Sequence, residues 1–223
     1  MTVNFFENGL LMYCHFAKNE IVEYRAFHTE TESLWRRMDE RLQAELTETL
    51  REHPESQHHE IVDRHSHDLY LNQARFPDIH RTALIISLWC FLEGQLNGLC
   101  QLVGESTPSP LRLRDIAGKG VTRALTYLSK VAGFDLGAIT QLGFVKNANR
   151  LRNRLVHAGG ILPGDPKDKL NHFVKDQGGL RGNPGECVVI APDFIDTLAK
   201  QLTELFDDLD TQVRQLMGRI NAA

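Results

Sequence analysis

The chain has 223 residues, 42% hydrophobic and 24% charged, a balance that supports a folded core and excludes disorder over most of the length. Its formal net charge is −4, so the chain as a whole is no basic nucleic-acid coat, and any such role needs a local cationic patch. The length suits one large domain, or a domain with an added helical lobe, needing no disulfide or metal staple.

From Val3 to Leu50 the apolar residues recur at helical spacing, which predicts one or two helices. Phe5, Phe6, Leu10, Tyr13, Phe16 and Ala17 mark the first stretch, and Leu34, Met38, Leu42 and Leu46 the second. Thr29, Thr31 or Ser33 is the expected cap of the second helix. No basic, apolar leader opens the chain. Pro54 breaks the pattern, and a polar, histidine-rich helix is expected over Ser56 to Gln73.

Pro77 is placed in the first turn of the next helix, which runs to about Val103 and is apolar on most sides, hence central. Its longest apolar run, Ala83 to Leu92, is about half the ~20 residues needed to cross a bilayer, so no membrane partner is expected. Gly104 to Pro110 reads as a loop. Helices are expected over Leu113 to Val131 and Leu136 to His157, the latter ended by Gly159-Gly160. His172-Phe173-Val174 and Cys187 to Ile190 read as the strands of a long-looped hairpin at about 170–191. Pro192 opens a last amphipathic helix carrying Phe194, Ile195, Leu198, Leu202, Leu205 and Phe206. The expected architecture is therefore mainly α, a helical bundle with an N-terminal helical extension over 1–75. A second unit over 76–223 holds the hairpin.

The chemistry concentrates between Lys146 and His157. On a helix Arg150, Asn153 and His157 stand at i, i+3 and i+7, with Lys146 one turn before Arg150, so the four share a face. Arg152 flanks that face, and Leu151 and Leu155 anchor the helix. The set suits a phosphodiester. Arginine grips phosphate oxygens bidentately without losing its proton, asparagine positions a hydroxyl or an oxygen, and histidine moves a proton near neutral pH. In the last turn the helix dipole favours the imidazolium of His157. RNA supplies its own nucleophile, the 2′-hydroxyl, and no metal or other cofactor is expected.

Arg152-Asn153-x-x-x-His157, within LRNRLVHAGG, resembles the signature of the HEPN superfamily: an arginine, commonly followed by asparagine, then a histidine after four to six residues. The apolar helix SLWCFLEGQLNGLC is similar to the family's earlier core helix, with Glu93 as the polar residue facing the motif, and RLRDIAGKGVTRALTYLSKVAGF resembles a linker helix of bacterial members. The resemblance covers roughly Pro77 to Phe206. It implies a HEPN-like bundle and a metal-independent endoribonuclease, a toxin or antiviral defence effector acting as a homodimer with two motifs in one cleft. It assigns Arg152, Asn153 and His157 to catalysis, Arg150, Arg154 and Lys146 to RNA, and Glu93 to support. The alternative is a non-catalytic module of the same family that binds RNA or a protein, such as a nucleotidyltransferase-like antitoxin. In that reading Arg152 pairs with Glu93 as a buried ion pair.

Two further patterns are weaker. Glu55, His59, Asp63 and His67 recur every four residues, so His59, Asp63 and His67 are the candidate metal ligands. No H-E-x-x-H string accompanies them, and a solvated polar face is the preferred reading. Gly94 and Gly98 suit close helix approach or a dimer interface. The scattered cysteines Cys14, Cys90, Cys100 and Cys187 form no C-x-x-C pair, as suits a reduced, cytoplasmic chain.

Overall fold

A single uninterrupted helix, α1 (Phe5–Glu52), carries the N-terminal quarter of the chain. The structure, a computed structural model, describes residues 5–107 and 109–222, and side chains from residue 9 onward; the expected helix start at Val3, the Phe5 and Phe6 side chains and Pro108 lie outside these. The expected cap at residues 29–33 is absent. The hydroxyls of Thr29 and Thr31 bond back to the carbonyls of Arg25 and Phe27 instead, which lets both residues sit inside the helix.

After a turn at 53–57, α2 (His58–Tyr70) leads through one π turn (Leu71–Arg75) into α3 (Phe76–Ser106), without a break. Pro77 therefore does not open a helix. It has no N–H for the carbonyl one turn back, and the wider π turn just before it absorbs the mismatch. A 3₁₀ turn at Leu113–Asp115 and then α4 (Gly120–Lys130) replace the expected continuous helix, because Gly118 and Gly120 both take positive φ and interrupt it. Likewise the turn Leu136–Ala138, fixed by Asp135 accepting from the Gly137 amide, precedes α5 (Leu142–Ala158). Gly159, at φ +57°, ends α5 in the left-handed region.

The hairpin needs correction. His172-Phe173-Val174 is not a strand but the middle of α6 (Lys169–Asp176), which Asp168 caps by accepting from the Leu170 amide at 2.7 Å. The true partners are β1 (Leu180–Arg181) and β2 (Val189–Ile190), antiparallel, with Leu180 opposite Ile190. The chain then enters α7 (Pro192–Asn221). The fold is mainly α with a short hairpin before the last helix.

One core unites these elements. Leu84, Leu88, Leu92, Leu96 and Leu99 of α3 are buried at its centre, packed with Leu10, Cys14, Ala17 and Ile21 of α1, Leu128 of α4, Leu151 of α5 and a long stripe of α7. The expected division at residue 75 meets continuous helix. It falls where the π turn runs into α3, and the first half of α1 belongs to the same core as α7. By length and composition the helix from Glu55 to Ser106 is apolar enough to cross a bilayer, and Leu84, Leu88, Leu92, Leu96 and Leu99 in its second half are buried in this core. Beyond residue 33, α1 runs with α2 and the π turn as a two-helix arm, and Trp35 packs on Phe76 at the start of α3. Ile61 and Asn72 are the arm's buried residues, and Asn72 donates to the Trp35 carbonyl.

Candidate nucleic-acid interface

α5 places its side chains by a simple rotation. Val145, Ala148 and Leu151 are buried against the core, and each residue turns about 100° from the last. The opposite side therefore carries Lys146, Arg150, Asn153 and His157, and all four are exposed. The expected shared face is present. Arg150 donates through Nη1 to Asn147 Oδ1.

Arg152 sits at the edge of the buried side. Its Nη1 donates to Asn153 Oδ1 at 3.1 Å, while its Nε is buried and has no acceptor. A guanidinium N–H out of water without a partner is costly. Around the helix axis Arg152 and His157 stand about 140° apart, so one chain displays them on different sides. Arg154 turns elsewhere again. Its Nε donates to the Ile161 carbonyl at 2.7 Å and ties the end of α5 to the following loop.

Glu93 does not meet these arginines. Among the described residues no ion pair joins it to Arg152, and its carboxylate lies against Gly120 at the start of α4. A Cβ built on Gly120 would stand 3.1 Å from Glu93 Oε2. There the positive end of the α4 dipole faces the carboxylate.

α6, misread from sequence as a strand, brings a lysine and a histidine beside the motif. Lys169 and His172 form a hollow of about 460 Å³ with Lys146 and Arg150, with Asp176 as the acidic member of its wall. On the far side of α6 a second hollow, about 560 Å³, is lined by His172, Lys175, Arg181 and Asn183. The missed signal is legible in retrospect: Asp168 is a capping residue, and Lys169, His172 and Lys175 follow at helical spacing of three.

The histidine stripe of α2 does not converge on a metal position. His59 Nδ1 lies 3.2 Å from Asp63 Oδ2, but both side chains are largely exposed, and His67 is exposed as well. Among the described residues the set whose ligand atoms lie within 4.8 Å of one another is His28, Glu32 and His80. The imidazoles are nearly coplanar, with centroids 5.5 Å apart and His28 Nδ1 3.2 Å from His80 Nε2. Those values place the two nitrogens almost head-on, the geometry of an N–H···N bond rather than of lone pairs converging on an ion. His28 Nε2–H donates to the Pro192 carbonyl, which leaves its Nδ1 to accept from His80. Arg81 holds both oxygens of Glu32, at 2.7 and 2.8 Å, and also reaches the Ile190 carbonyl. This knot joins α1, α3, β2 and the start of α7.

Gly98 is approached by Tyr13 of α1, whose hydroxyl donates to the Gln95 carbonyl at 3.0 Å, whereas nothing lies within 4 Å of a Cβ at Gly94. The space at Gly98 thus serves packing within the chain. Compared with known proteins, the chain matches no family model, no curated protein and no solved structure.

Proposed function

We propose that the protein is a metal-independent endoribonuclease of HEPN type, a cytoplasmic toxin or antiviral defence effector, with Arg152, Asn153 and His157 as its catalytic residues. The observation that carries this reading is the Arg152 guanidinium. Its buried Nε lacks an acceptor, and its Nη1 rests on Asn153, which belongs to the exposed helix face of Lys146, Arg150, Asn153 and His157. A phosphate oxygen is the acceptor this arrangement lacks. In the proposed step the RNA 2′-oxygen attacks the adjacent phosphorus, the bond from phosphorus to the 5′-oxygen breaks, and a 2′,3′-cyclic phosphate and a 5′-hydroxyl form. His157 as imidazolium gives its proton to the leaving 5′-oxygen, the 2′-hydroxyl proton passes to water, and Arg152 stabilises the charge on the phosphorane.

Because Arg152 and His157 face different sides of α5, the reading calls for a homodimer in which Arg152 of one copy and His157 of the other meet one phosphate. Val156, Ile161 and Val189, all exposed near the end of α5 and the hairpin, are the apolar surface for that contact. The same separation favours the second reading for the monomer, a non-catalytic module that holds RNA or a protein such as a nucleotidyltransferase-like antitoxin.

The test is cleavage of varied RNAs by the purified protein in excess EDTA, beside Arg152→Ala and His157→Ala. The parent should cleave, and each variant should lose at least ~100-fold in rate. A folded but inert parent would replace catalysis with binding. Cleavage that needs added metal and survives both substitutions would remove the site assignment.

A further inference from the structure

The geometry points to a second nucleotide-binding pocket, between α6 and the β1–β2 turn, that holds the phosphates and one base or ribose of a single RNA strand running on from the α5 face. The inference rests on the reading of α5 as an RNA site.

Two observations converge on it. The first is charge. Lys146 and Arg150 of α5, Lys169 and Lys175 of α6 and Arg181 of β1 form a run of cations across two adjoining hollows of about 460 and 560 Å³, on a chain whose net charge is −4. His172 lines both hollows and bridges them. Against these stands Asp176 alone among the acidic residues of the two linings. Lys169, Lys175 and Arg181 have no salt-bridge partner among the described residues, so their charge is available to a polyanion.

The second observation is a buried acceptor. Asn171 lines the outer hollow and donates through Nδ2 to the carbonyls of Pro163 and Asp165, at 2.8 and 2.6 Å. Those bonds fix the amide, and they leave its Oδ1 buried with no donor. A base N–H or a ribose hydroxyl would satisfy that oxygen, while Lys175 and Arg181 take the phosphate beside it.

The shape selects a single strand. Concavities of a few hundred cubic ångströms on either side of an eight-residue helix admit separate nucleotides. A flexible strand can turn over α6 to reach both, whereas a duplex shows proteins a stiff convex surface.

The test uses the full chain with His157→Ala, which keeps RNA intact during binding, and a labelled oligouridylate titrated over a range of salt. Substituting Lys169→Gln, Lys175→Gln and Arg181→Gln together on that background should weaken binding by at least tenfold at low salt. It should also lower the slope of log affinity against log salt by about 2, at ~0.7 per single-strand phosphate. Thermal unfolding by circular dichroism confirms that the triple variant is folded. An unchanged slope, with the His157→Ala protein still binding RNA, overturns the pocket and leaves the α5 reading standing. Absence of binding by the His157→Ala protein itself overturns the α5 reading and the pocket with it. Equal competition by duplex RNA of matching length overturns the single-strand assignment.

Discussion

At the scale of the residue, titration separates His80 from its neighbours. Burial pulls its pKa below the ordinary histidine range, with His28 and Arg81 acting in the same direction and Glu32 opposing them. In the unfolded chain the ring takes up a proton near pH ~6.5; the folded chain does so only at lower pH. Between those values the unfolded state binds more protons, so stability falls as pH drops below ~6.5 and the loss levels off past the depressed folded value. Urea midpoints measured from pH 7.5 down to 5 should show that decline. His80→Gln, whose amide still donates to His28, should flatten it, and an identical decline in the variant would remove His80 as its source. Burial also pushes the thiols of Cys14 and Cys100 up to about 12, which keeps them protonated and unreactive at neutral pH. At this scale the sequence was informative about α5 and uninformative about partners. Helical spacing alone puts Lys146, Arg150, Asn153 and His157 on one exposed face. It carries no information on whether Glu93 meets Arg152 or Gly120, because that depends on how α3, α4 and α5 cross.

At the scale of the element, α6 and the hairpin show how local composition misleads. His172-Phe173-Val174 has β-like residues, yet Phe173 and Val174 are buried on one side of a helix that Asp168 caps, against Phe144 and Phe194. Tertiary packing outweighs the weak strand preference of three residues. The strand that does form begins directly after Gly179, which has φ +81° and packs so tightly that a Cβ would stand 2.6 Å from the Phe194 amide nitrogen. Gly179→Ala meets both a left-handed backbone and the first turn of α7, and its own carbonyl accepts from the Ala191 amide. The variant should lose on the order of 2–4 kcal/mol, read as a shift in urea midpoint. A loss under ~0.5 kcal/mol would mean that the hairpin is free to shift away from α7. The end of α5 was legible because Gly159 marks it, whereas the Asp168 cap of α6 was missed. The continuity of α2 with α3 was not, since Pro77 looks like a beginning and only the π turn explains why it is none.

For the whole molecule, the uneven distribution of burial matters most. The core draws on α1, α3, α4, α5 and α7 together, while residues 34–75 form an arm held by little more than Ile61, Asn72 and polar contacts such as Gln73 with Asp39. Amides in the arm should exchange with deuterium well ahead of those over Leu84–Leu99, because opening the arm exposes little apolar surface. Equal protection in both regions, measured by mass spectrometry, would show that the arm is covered by something else, such as a second copy. Whole-molecule organisation was the least legible level. The resemblance covering Pro77 to Phe206 set residues 1–75 apart as an extension, yet helical hydrogen bonding runs straight through residue 75, as it runs through α1 into the arm.

That continuity has a mechanical consequence. Since α1 and the α2–α3 helix both enter the arm without a joint, the arm is a cantilever rather than a tethered flap, and the chain reverses at its tip, near Pro54. A load applied at the tip is carried down both helices to the level of His28, Glu32, His80 and Arg81, where the two are bolted to each other and to the Ile190 and Pro192 carbonyls. That bolt acts as a fulcrum. Leverage on the arm is therefore delivered to the end of β2, which pairs with the strand carrying Arg181, and to the first turn of α7.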